Sequence, residues 1–134
     1  MKSPSLFLGA ISALLAVALG AFGAHGLKNI LSPELLTTYQ TGVTYQMWHA
    51  LGLLVVGIIQ QQEPESKLLT WTSRCLFFGI LLFSGSLYLL ALLNIKELGM
   101  LTPIGGVSFI IAWTLLAIFA AQKQHQSRYK NARR

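Results

Sequence analysis

The sequence predicts an all-α integral membrane protein: a four-transmembrane-helix bundle with a short interfacial helix between helices 1 and 2. Three observations predict it. The chain of 134 residues is 54% hydrophobic and only 10% charged, where a soluble domain carries about 25% charged residues. Its mean hydropathy is +0.60. Its charges also leave four gaps, Lys2 to Lys28, Glu34 to Glu63, Arg74 to Lys96 and Glu97 to Lys123, with no Asp, Glu, Lys or Arg inside them. Each gap holds the roughly 20 apolar residues that a helix needs to cross a hydrocarbon core of about 30 Å.

Residues 1–122 read as a single membrane domain, with spans at about 5–27, 43–60, 69–93 and 101–121. The first span is too long for the apolar part of a signal peptide, which runs about 7–15 residues, and no small-residue cleavage site follows it. Ser12, Ala16, Gly20 and Ala24 recur in it every four residues, and Gly23 adds to the same end. Small residues let a second helix approach closely. Ser32-Pro33-Glu34 then reads as a helix start: an N-cap serine, proline at the first helical position and an acid in the first turn. Leu35, Leu36 and Tyr39 alternate with Thr37, Thr38, Gln40 and Thr41, which predicts the interfacial helix. It ends at Gly42 or runs on into the second span with Gly42 as a bend.

The second span is polar in its first half, with Thr44, Tyr45, Gln46, Trp48 and His49, and aliphatic from Leu51 to Ile59. Gln60 to Lys67 is a polar loop, where Pro64 interrupts helix. Trp71 and Arg74 anchor the entry to the third span. Phe83-Ser84-Gly85-Ser86-Leu87-Tyr88 lies past its midpoint. Thr102-Pro103 opens the fourth span, followed by Gly105, Gly106 and Ser108. Gly85, Gly105 and Gly106 are further expected packing positions.

The tail 123–134 carries Lys123, Arg128, Lys130, Arg133 and Arg134, half of the ten basic residues. It is read as a mobile cytoplasmic segment drawn to anionic lipid. No aromatic or glycine-rich module accompanies the net charge of +6, so no nucleic-acid partner is expected. Lys2, Lys67 and Arg74 share the tail's side of the membrane, making eight basic residues against two, Lys28 and Lys96, on the other. The tally places both termini in the cytoplasm. Polar groups from all four spans then fall in the outer half. Two readings of that layer compete: hydrogen-bonded glue between helices, and an outer-side pocket around His25 and His49, with Tyr45, Gln46, Ser84, Ser86, Tyr88, Thr102 and Ser108, that binds or transports a small polar ligand, metal or proton.

Chemistry is sparse. His25 and His49 are the candidates for a metal, haem or proton role, but no acid or thiol joins them, so no metal or other cofactor is expected. The four acids, Glu34, Glu63, Glu65 and Glu97, lie in loops, and there is no nucleophile elbow or phosphate loop. Cys75 is the one cysteine, which excludes an internal disulfide. These residues favour a structural or accessory membrane protein over an enzyme. A homo-oligomer or a membrane-protein partner is expected, because so small a bundle has little room for an enclosed path.

Four motifs in order resemble one family: Gly20-Ala21-Phe22-Gly23-Ala24-His25; Thr41-Gly42 with Tyr45-Gln46 and His49; Phe83-Ser84-Gly85-Ser86-Leu87-Tyr88; and Thr102-Pro103 with Gly105-Gly106. Together they are similar to the small bacterial membrane proteins grouped as domain of unknown function 423, also called uncharacterised protein family 0382. The resemblance runs from Ser12 to about Trp113. It implies a multi-span protein of the bacterial inner membrane and carries over no catalytic or ligand residue.

Overall fold

The computed structural model describes residues 4–133. Lys2 and Arg134, counted in the charge tally, lie outside them. Four long helices make up the chain: α1 Pro4–Phe22, α2 Pro33–Gln62, α3 Lys67–Leu93 and α4 Thr102–Ala132. All four are long and apolar enough to cross a membrane. They run antiparallel in sequence order, α1 packing on α2, α2 on α3 and α3 on α4. The connections α1–α2 and α3–α4 therefore share one end, called here the far end. The α2–α3 loop, the start of α1 and the end of α4 share the other.

Glycines set how closely the neighbours approach. A Cβ on Gly9 would lie 2.9 Å from the Leu54 backbone nitrogen, and one on Gly57 would lie 2.7 Å from that of Leu6. Between α3 and α4, a Cβ on Gly105 would fall on the Phe83 backbone and one on Gly79 on the Phe109 ring. Such contacts bring backbones together in a solvent that supplies no hydrophobic drive for helices to associate. The apolar core fills the space between α2, α3 and α4 with Leu53, Val56, Leu69, Leu76, Ile80, Phe109, Ala112 and Phe119. A smaller cluster at the far end joins Leu27, Tyr39 and Ala91.

Two expectations need correction. The segment read as a separate interfacial helix is helical, and Ser32 caps it by accepting from the Leu35 N–H, but it forms the first turns of one continuous 30-residue α2. The threonines do not interrupt the helix because their hydroxyls bond back along it: Thr37 to the Pro33 carbonyl at 2.8 Å, Thr38 to Glu34 at 3.0 Å and Thr41 to Thr37 at 3.0 Å. Gly42 is no bend. It sits where a Cβ would lie 2.9 Å from the Tyr88 ring. The basic tail is likewise no loose segment. It continues α4 to Ala132, since nothing from Gln122 onward breaks a helix. Lys123 on this extension pairs with Glu63 at the end of α2.

Two irregular turns shape the far end. Gly23–Leu27 winds as a π-turn that continues α1. The Tyr39 hydroxyl donates to the Leu19 carbonyl at 2.9 Å, beside the point where the winding changes. At the end of α3, Asn94 adopts a left-handed conformation, φ 54°. Asparagine tolerates this better than most side chains. A 3-10 turn, Lys96–Met100, then leads into α4.

Candidate functional site

The polar side chains expected in one layer do converge in part, and most of them bind the helices to one another. Gln46 is the centre. It is 4% exposed on α2. Its Nε2 donates to the Ser12 carbonyl on α1 at 2.9 Å, and its Oε1 accepts from the Tyr88 hydroxyl on α3 at 2.7 Å. One amide thus joins three helices. The Ser84 hydroxyl donates to the Gly42 carbonyl at 2.7 Å, a second α2–α3 link. Ser86 and Thr102 share a hydroxyl bond of 2.7 Å across α3 and α4, and Ser108 donates to the Cys75 carbonyl at 2.8 Å. Among the described residues no enclosed side-chain nitrogen or oxygen lacks a partner.

His25 does not join this layer. It is exposed. Gly23 and Leu27 turn inward on either side of it. His25 is midway between them and so faces outward. His49 lies ten residues beyond Tyr39 along α2, about 15 Å by helical rise, while the Tyr39 ring packs on Gly23. The two histidines are therefore far apart and cannot share a ligand. Among the described residues no group of three or more His, Cys, Asp or Glu could hold a metal.

The expected packing positions also divide. Ser12, Ala16, Gly23 and Gly105 are buried. Gly20 meets Val43, with a Cβ 3.2 Å from its methyl. Ala24 is exposed. A Cβ on Gly85 would meet nothing within 4 Å, and one on Gly106 would reach only the Phe83 ring at 3.8 Å. Gly9, Gly42, Gly57 and Gly79 carry close contacts that the sequence reading passed over. Pairing across helices would have been needed to find them.

His49 stands in a different setting. Helices α2 and α4 run parallel, and an open groove of about 620 Å³ lies between them. Tyr45, His49, Phe83, Phe109, Ile110 and Trp113 line it, with Gly106, Thr114 and Ala117 on the α4 side. The His49 ring stacks on Phe109 with centroids 3.4 Å apart and planes 12° apart. Tyr45 stacks on Phe83 at 4.4 Å. His49 Nδ1 lies 2.6 Å from the Tyr45 carbonyl. Of the nominated pocket residues, Tyr45 and His49 reach this groove, and apart from Thr114 its other walls are aromatic and aliphatic. The sequence did carry a signal for it: aromatic rings at i, i+4 on both α2 (Tyr45, His49) and α4 (Phe109, Trp113).

Fold and site together define a small polytopic helical membrane protein. The family described as "Protein of unknown function (DUF423)" matches residues 19–106, a stretch that includes all four motifs. The chain belongs to that family. It is similar to a UPF0382 membrane protein of Staphylococcus saprophyticus, 52% identical over 84% of this chain and 92% of the relative. It is also similar to the UPF0382 membrane protein YwdK of Bacillus subtilis, 48% identical over 87% of this chain and 95% of that one. No solved structure matches the chain.

Proposed function

We propose that this chain is a non-enzymatic structural or accessory protein of the bacterial inner membrane, acting through its bundle and the surfaces that the bundle presents. The observation that carries this reading is the use made of the polar side chains. Gln46, Ser84, Ser86, Tyr88, Thr102 and Ser108 are engaged with other helices. A catalytic or conducting layer would leave such groups facing a substrate or water. The two outer helices supply the surfaces: α1 and α4 have 22% and 17% of their most apolar stretches buried, against 44% and 39% for α2 and α3. A second copy or another membrane protein would pack there.

Both termini are assigned to the cytoplasm by the basic residues around the α2–α3 loop and on the α4 extension. That extension, with Arg128, Lys130 and Arg133 exposed on it, lies against anionic lipid headgroups in this reading. Two measurements test it. A cysteine at Gln61, introduced with Cys75→Ser, reacts with an impermeant maleimide only from the cytoplasmic side. Protein purified in mild detergent carries no stoichiometric metal or haem. Metal or haem lost on His49→Ala would overturn the non-catalytic reading, and labelling from outside would overturn the orientation.

A further inference from the structure

We propose that the α2–α4 groove is a binding site, entered sideways from the bilayer, for a membrane-dissolved phenol or hydroquinone whose hydroxyl donates to His49 Nε2. The inference does not depend on the accessory role, and it starts from one nitrogen. His49 is 7% exposed, and its Nδ1 is 2.6 Å from the Tyr45 carbonyl. A carbonyl oxygen only accepts, so Nδ1 carries the proton. In the neutral imidazole Nε2 is then an acceptor. No described residue donates to it. Among the described residues no enclosed side-chain nitrogen is unpartnered, so Nε2 keeps an opening, and the groove is the opening that His49 lines.

The walls define what fits. Tyr45, Phe83, Phe109 and Trp113 offer ring faces and edges, which favour a flat ring as guest. The volume of about 620 Å³ lies within the roughly 300–1,000 Å³ of sites for small organic molecules, far more than an ion or a single water fills. Among the described residues no Asp, Glu, Lys or Arg lines it, so a charged head would enter unpaired. The Thr114 hydroxyl donates to the Ile110 carbonyl at 2.8 Å, and it and the Tyr45 hydroxyl are the other side-chain polar groups in the walls; His49 Nε2 is the strongest acceptor among them. Gly106 to Ala117 occupy the apolar middle of α4, with Ile110 and Trp113 exposed. The route in is therefore through lipid, and the guest is a neutral amphiphile with one ring hydroxyl placed for the nitrogen.

The test uses the full chain in lipid nanodiscs with Trp48→Phe and Trp71→Phe, so that Trp113 alone reports. Decylbenzohydroquinone is the probe, and its dimethyl ether, which has the ring but no hydroxyl, is the control. Saturable quenching of Trp113 is expected with the hydroquinone, weakened about tenfold for the ether and about tenfold by His49→Phe, the loss of one good hydrogen bond. The ¹⁵N resonance of His49 Nε2 shifts with the hydroquinone and not with the ether. Gly106→Leu, at a position with room for a side chain, fills the groove and abolishes quenching while helix content and unfolding midpoint hold. Equal binding of the two probes, or full binding by His49→Phe or Gly106→Leu, overturns the proposal. So does quenching that disappears as protein density in the membrane rises, which would assign the groove to a second copy.

Discussion

Gln46 and His49 stand three residues apart on one helix, 4% and 7% exposed, and their surroundings make them different kinds of residue. Gln46 faces α1 and α3. Both ends of its amide are bonded to other helices. His49 faces α4. It bonds one nitrogen to its own helix and turns the other toward a groove walled by rings. The difference arises from the neighbours. Glycines bring α1 and α3 close to α2, so polar atoms there meet polar atoms. Helix α4 is held off α2 by Phe109 and Trp113, so space remains. Burial and polarity alone do not separate glue from site. What lies across the helix gap does.

The contrast predicts a ranking of effects on the unfolding midpoint in mixed detergent micelles. The largest belongs to Gly105→Leu, whose side chain starts on the Phe83 backbone; forcing α3 and α4 apart costs about 3 kcal/mol. Next comes Gln46→Leu. It frees the Tyr88 hydroxyl and the α1 link together, for a loss of about 1–2 kcal/mol. Ser84→Ala removes one α2–α3 bond while the Gly42 carbonyl stays in its helix, and the expected loss is about 0.6–1 kcal/mol. Smallest is Lys123→Gln. Its pair with Glu63 is about 40% exposed on both sides, so the change is no more than about 0.5 kcal/mol and fades with salt. If Ser84→Ala cost as much as Gly105→Leu, hydrogen bonds rather than close backbone approach would be setting the geometry.

Span number and membrane class were legible because charge is so costly in hydrocarbon that its absence marks each crossing. The caps at Ser32 and the proline starts were legible because they are local. Helix faces were less so. A strict four-residue repeat rotates about 40° per step on a 3.6-residue helix, so the stripe from Ser12 to Ala24 leaves the α2 interface. The buried set, Ser5, Gly9, Ser12 and Ala16, alternates four and three. Gly23, seven residues after Ala16, stays on the buried face, and His25, two residues further on, falls on the opposite one. The sequence reading paired His49 with His25 on α1, whereas the groove that His49 lines is made with α4. The aromatic i, i+4 pairs on α2 and α4 mark those two faces, but nothing in a single sequence says that they face each other.

The most direct test of the contrast sets His49→Phe beside Gln46→Leu in the same unfolding experiment. Phe is an apolar ring of similar shape, and His49 makes no hydrogen bond to another helix, so its replacement shifts stability by less than about 0.5 kcal/mol. Gln46→Leu lowers it by about 1–2 kcal/mol. Equal losses from the two variants would contradict the account, for His49 would then be one more strut of the bundle.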